Sequence, residues 1–191
     1  MQYLLLVFLW AAWGALHSLM ASRTFTRWSE SILGHNYRYY RLVYNAVAIA
    51  TFVPLLAYSG TIDTRLIISF SPPWNLVQYA LIALSLAIFL WSLRRFDGLG
   101  FLGIRQATAP TAVVTDGPYR FSRHPMYLAA IILIWSFDAT LAGIITNIVL
   151  TIYIIIGSIL EERKLVAESG DAYREYQEQV PMLLPLPRLP K

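Results

Sequence analysis

Apolar residues in this 191-residue chain come in long unbroken runs. They lack the alternation of a half-buried strand and the narrow stripe of a surface helix. Crossing the hydrocarbon core of a bilayer takes about 20 such residues in a helix. The runs at 3–21, 40–58, 74–93, 125–137 and 141–160 meet or approach that length. They predict an all-α integral membrane helical bundle with about five transmembrane helices. Pro54 is expected to kink the second run near its end, and Pro72-Pro73 opens the third. The fourth run is short and turns sharply at 138–140 into the fifth, so the two predict a helical hairpin. The first run has no basic start and no small-residue cleavage site, and is expected to stay as a helix.

Beyond the last run the pattern changes. Residues 161–180 predict a helical continuation, a break at Gly170, then a short amphipathic helix with Tyr173, Tyr176 and Val180 on one face. The prolines at 181, 185 and 187 exclude a regular helix there and predict an extended arm. One membrane domain over 1–191 is expected, with 115–187 as its binding region.

Composition agrees with a membrane protein. Hydrophobic residues make up 57% and charged residues 14%, against about 45–50% and about 25% in soluble domains. There is no cysteine, which excludes disulfides, thiolate metal sites and cysteine nucleophiles. Histidines at 17, 35 and 124 are scattered, so no metal site is expected. No basic run interleaved with aromatics suggests nucleic acid. With five spans, all 15 Lys and Arg residues except Arg65 fall on one side of the membrane. The positive-inside rule then predicts the N-terminus outside and the C-terminus inside. Four or six spans would mix the charges.

That orientation brings two polar segments to the cytoplasmic face. One is Arg123-His124-Pro125-Met126-Tyr127, preceded by Asp116-Gly117-Pro118-Tyr119-Arg120. Pro125 suits the first position of a helix, which sets His124 at the cap, beside free N–H groups and the positive end of the helix dipole. With Arg120 and Arg123 this predicts an anion site, for a ligand or for lipid phosphate. The other segment holds Glu161-Glu162, acids at the expected end of a helix, where the dipole opposes them. His17 lies inside the first span, where an ionisable group is a candidate substrate contact or an interfacial histidine bonded to a neighbouring helix. Gly98-Leu99-Gly100-Phe101-Leu102-Gly103 matches a dinucleotide fingerprint, but it follows a membrane helix instead of a strand, so the reading is rejected.

Gly117-x-Tyr119, Arg123-His124-Pro125-Met126-Tyr127, Glu161-Glu162 and Gly170-x-x-Tyr173-x-x-Tyr176 resemble, in order and spacing, the isoprenylcysteine carboxyl methyltransferase and phospholipid methyltransferase superfamily. The N-terminal half, with His17-Ser18-Leu19 and residues 37–45, is similar to the branch of NnrU proteins and methanethiol S-methyltransferases. The resemblance implies S-adenosylmethionine as cofactor, held by Gly117, Tyr119, Arg123, His124, Tyr127, Glu161, Glu162 and Tyr173. It implies Arg123 and Glu161 as catalytic residues, and a lipid or small hydrophobic methyl acceptor entering from membrane lipid. A prokaryotic inner or plasma membrane location follows, with the cofactor site facing the cytoplasm. Isoprenylcysteine enzymes tend to carry an Arg one turn before the Glu pair. Residues 154–160 here are uncharged, which turns the expected acceptor toward a neutral or small molecule.

Membrane sterol reductases share a related Arg-His-Pro-x-Tyr segment and use NADPH. They usually have Asn where this chain has Met126, and Gly-Glu shortly after the Tyr where it has Leu128-Ala129-Ala130. A reductase is therefore the alternative function, and a non-enzymatic membrane protein with a degenerate pocket the second.

Overall fold

A bilayer offers no partner for backbone N–H and C=O groups, so apolar runs of spanning length must close their hydrogen bonds within themselves as helices. The computed structural model of the chain, described for residues 1–95 and 113–184, follows that rule. Its helices are α1 (Gln2–Ala21), α2 (Arg23–Leu33), α3 (Tyr40–Ile62), α4 (Asn75–Leu93), α5 (Pro125–Ile134), α6 (Leu141–Ser169) and α7 (Asp171–Gln179). A two-stranded antiparallel ribbon joins β1 (Leu66–Ile68) to β2 (Ala139–Thr140). The glycine segment 98–103, Arg105 and the prolines at 185 and 187 lie outside the described residues.

The all-α membrane fold expected from the sequence is present. Among the described residues, four helical stretches are long and apolar enough to cross a membrane: Gln2–Ala21, Arg23–Ile62, Asn75–Leu93 and Leu141–Ser169. The protein is an integral membrane protein. The expected fourth span differs. α5 has 10 residues, about 15 Å of rise, which is roughly half of a hydrocarbon core.

Two local expectations need correction. The segment after α1, outside the apolar runs that predict helices, is the amphipathic helix α2. Ser22 caps it by accepting the Phe25 N–H at 3.2 Å, as a serine at that position is suited to do. Phe25, Trp28 and Ile32 mark its apolar face, and Trp28 and Ile32 are exposed. The Glu161-Glu162 pair does not end its helix, because α6 runs on to Ser169. The dipole cost expected for acids in a last turn is thereby relieved.

Two compact units emerge. Among the described residues, 1–68 and 138–153 form the first, and 69–95, 113–137 and 154–184 the second. Lipid tails are as apolar as leucine, so membrane helices associate through close packing and interhelical hydrogen bonds. In the first unit a Cβ on Gly14 would stand 2.9 Å from the Tyr153 ring, so only glycine admits that ring against α1. Trp10 donates its indole N–H to Thr146 Oγ1 at 3.1 Å, and Ser59 bonds the same oxygen at 3.1 Å. In the second unit Ser85 on α4 donates to the Ala129 carbonyl of α5 at 2.8 Å. Interhelical bonds of this kind average about 0.6 kcal/mol each.

Candidate functional site

The polar segments of the second unit are set by one glycine and one short strap. Gly117 has φ +60, and a Cβ there would stand 3.3 Å from Arg95 Nε and 3.4 Å from Trp91 Nε1. It starts a 3-10 turn, Gly117–Arg120, whose cap Asp116 pairs with Arg95 at 2.9 Å. The strap lies at the other end of the loop. Arg123 N–H donates to Pro181 O at 3.0 Å and His124 N–H to Met182 O at 3.1 Å. Buried Ser122 donates its hydroxyl to Met182 O at 3.1 Å and accepts from His124 N–H at 3.2 Å. His124 is thus fixed as the N-cap of α5, with Pro125 at the first helical position.

Arg123 and Glu162 form a two-pronged ion pair, Nε to Oε1 at 2.6 Å and Nη2 to Oε2 at 3.0 Å. Both side chains are about nine-tenths buried, at 9% and 10% exposure. The other terminal nitrogen of Arg123 donates to Gln177 O at 3.0 Å and to Val180 O. Glu162 also meets His124 Nε2 at 3.2 Å and accepts from Gln177 Nε2 at 2.8 Å. Both of its oxygens are engaged by protein groups.

Its neighbour Glu161 has a different environment. Its side chain is 44% exposed. Its Oε2 accepts the Tyr127 hydroxyl at 2.8 Å and lies 3.9 Å from His124 Nδ1. The His124 and Tyr127 rings stack with centroids 5.4 Å apart. Burial holds the His124 pKa below the usual histidine value, although Glu161 and Glu162 pull the other way. The Glu162 carboxylate can only accept, so the ring donates to it from Nε2.

An aromatic wall completes the unit. Tyr173, Tyr176 and Val180 are buried together against Val113, Tyr119, Leu165 and Val166. Tyr176 donates its hydroxyl to Tyr119 O at 2.6 Å. Burial and the nearby carboxylates push Tyr173 up to about 12, so it stays a neutral phenol. Gly170, at φ +58, allows the turn from α6 into α7 that brings these tyrosines round. A cleft of about 450 Å³, lined by Thr115, Arg120, Glu175 and Tyr176 among others, shares Tyr176 and Val180 with this region.

Of the residues singled out in the sequence, Arg123, His124, Tyr127, Glu161 and Glu162 come together within hydrogen-bonding reach, with Tyr173 beside them. Tyr119 supplies a carbonyl and one face of the aromatic wall, and Gly117 shapes the turn that carries it. His17 belongs to the first unit, where its Nε2 meets the Tyr44 hydroxyl at 2.5 Å. Sequence reasoning missed Gln177, which grips both members of the ion pair. Its signal was present, since Gln177 lies four residues after Tyr173 and so shares its helix face. The carbonyls of Val180, Pro181 and Met182 carry no such signal.

Residues 74–169 match the family described as Phospholipid methyltransferase. The methanethiol S-methyltransferase of Crocosphaera subtropica is 33% identical over 120 residues, covering 58% of this chain and 47% of that protein. Methanethiol S-methyltransferase 1 of Bradyrhizobium diazoefficiens is 43% identical over 82 residues, covering 42% of this chain and 28% of that protein. The methanethiol S-methyltransferase of Pseudomonas deceptionensis is 29% identical over 178 residues, covering 88% and 67%. The chain thus spans less than half the length of the first two relatives. No solved structure matches it.

Proposed function

Because the chain belongs to the phospholipid methyltransferase family, we propose that it is a membrane methyltransferase using S-adenosylmethionine and acting on a small thiol or lipid acceptor. The observation that carries this reading is the split between two adjacent carboxylates. Glu162 is buried and committed to Arg123, His124 and Gln177, while Glu161 keeps solvent access beside Tyr127. A buried brace under an accessible acid suits a ligand whose polar end carries hydroxyl and ammonium donors. The donor set therefore fits the cofactor, which when bound supplies an electrophilic methyl group on a sulfonium.

The residues take separate roles. Glu161 receives hydroxyl or ammonium donors of the ligand, with Tyr127 holding the carboxylate in place. His124 and the N-terminus of α5 face the anionic end, where the helix dipole favours negative charge. Arg123 and Glu162 are positioning residues. Tyr119 and Tyr173 border the site, and an aromatic face near a sulfonium is attractive to it. Transfer to a thiol forms a carbon–sulfur bond, breaks the sulfonium–methyl bond and releases the thiol proton, for which Glu161 is the accessible acceptor. Alignment of the two reacting atoms supplies most of the rate.

The small-thiol reading draws on the methanethiol S-methyltransferases among the relatives and on the uncharged stretch 154–160. The charge distribution around the spans supports a cytoplasmic site, and the bacterial relatives support a prokaryotic inner membrane. The family match favours methyl over hydride transfer. Calorimetry on the detergent-solubilised protein tests this directly. S-adenosylmethionine and its demethylated product should bind, and NADPH should not. Binding of NADPH without binding of the demethylated product would reverse the assignment in favour of a reductase.

A further inference from the structure

The first unit contains a polar group inside a membrane span that the methyl-donor site does not use. His17 sits on α1 with its ring stacked on Trp13 at 5.2 Å and its Nε2 bonded to the Tyr44 hydroxyl on α3. Its Nδ1 is buried without a hydrogen-bond partner. The other polar groups around it are accounted for. Trp13 donates its indole N–H to Thr51 Oγ1 at 3.1 Å, and Thr51 donates to Val47 O at 2.7 Å. Beside the ring is a cavity of about 10 Å³ lined by Trp13, Leu16, His17, Tyr44 and Thr51 among others. That is about the room one water-sized group needs.

Neither tautomer settles the arrangement. If Tyr44 donates to Nε2, then Nδ1 carries a hydrogen that lacks an acceptor. If Nε2 donates to Tyr44, then Nδ1 is a bare lone pair and the tyrosine hydrogen also lacks a partner. A group that both donates and accepts completes either state, whereas a hydrocarbon completes neither. An ion is disfavoured, because charge inside a span is costly. Leu16, which borders the cavity, is 44% exposed, so one wall of the cavity is formed by a side chain at the surface of α1.

We infer that the His17–Tyr44 pocket binds the hydroxyl or thiol headgroup of a small neutral aliphatic molecule, R–OH or R–SH, that reaches it from the bilayer. The headgroup bonds His17 Nδ1, and the chain runs past Leu16. The site stands on residues of the first unit alone and does not depend on the methyl-transfer reading.

The test uses the full chain in lipid nanodiscs with ¹⁵N-labelled histidine and no methyl donor. Propanethiol and propanol are the probes, and pentane, which has no hydrogen-bonding group, is the control. Both probes should shift the His17 Nδ1 resonance saturably, and pentane should not. His17→Gln, which keeps a polar atom near the Nε2 position only, should abolish the saturable change that the probes cause in tryptophan emission. His17→Asn, which keeps one near the Nδ1 position, should retain it with affinity about tenfold weaker. A shift that grows linearly with probe, an equal response to pentane, or unchanged binding by His17→Gln would overturn the proposal. The pentane comparison needs no variant and decides the question even if both substitutions misfold. A thiol response without an alcohol response would leave the headgroup assignment half wrong and overturn it as stated.

Discussion

Arg123 grips Glu162 through two parallel hydrogen bonds, Nε to Oε1 at 2.6 Å and Nη2 to Oε2 at 3.0 Å. The pair joins the loop before α5 to a point two turns from the end of α6. Removing one partner leaves the other charge buried, which typically costs about 3–5 kcal/mol. Arg123→Ala and Glu162→Ala should each lower the thermal midpoint in detergent sharply. Arg123→Lys should rescue poorly, because an ammonium cannot make the paired bonds. The double substitution should lose less than the sum of the singles, and strict additivity would show that the pair is not coupled.

Glu161 should behave differently although it is the adjacent residue. Glu161→Gln removes an accessible charge and should leave the midpoint nearly unchanged, while cofactor affinity falls about tenfold or more for a charged hydrogen bond lost. Tyr127→Phe should give a smaller loss. Calorimetry with the demethylated cofactor separates the two. If Glu175→Gln weakens binding and Glu161→Gln does not, the ligand lies in the cleft lined by Arg120 and Glu175 instead.

His124 gives a pH dependence with a definite sign. Its folded pKa is lowered by burial, so below the ordinary histidine value, about 6.5, the unfolded chain takes up a proton that the folded chain resists. Stability from this group is fully present above about pH 6.5 and declines as pH falls toward the folded value. Melting curves across that range should show the decline. In His124→Gln, which retains a donor toward Glu162, that part of the slope should vanish.

Gly117 combines a left-handed backbone with crowding by Arg95 and Trp91. Gly117→Ala should cost about 1–2 kcal/mol from the backbone alone. It should also disturb the Arg95–Asp116 pair, measured as a lower midpoint together with weaker cofactor binding. A neutral result would mean that the turn relaxes freely.

The spans were legible because lipid leaves an apolar run of that length one way to satisfy its backbone. α2 was less so. Its apolar Phe25, Trp28 and Ile32 are spaced for a helix face, but Arg23, Arg27 and Glu30 interrupt any membrane-length run. The polar cluster was legible as a set of residues and not in its partnerships. Arg123 and Glu162 lie 39 residues apart, and either one alone suits a ligand as well as it suits the other. The partner that decides between those roles is partly main chain, at Gln177, Val180, Pro181 and Met182, where residue identity says little.

The strap that ties Arg123 and His124 to Pro181 and Met182 also sets an order of events in the cell. On a growing chain, residue 123 is made long before residue 182. The helices must insert while the Arg123 loop still lacks its carbonyl acceptors, because α7, with Gln177, is made after them. The acid–base cluster therefore closes only after residue 182 has been made. A chain truncated before residue 181 would be threaded through the membrane and still have no finished site.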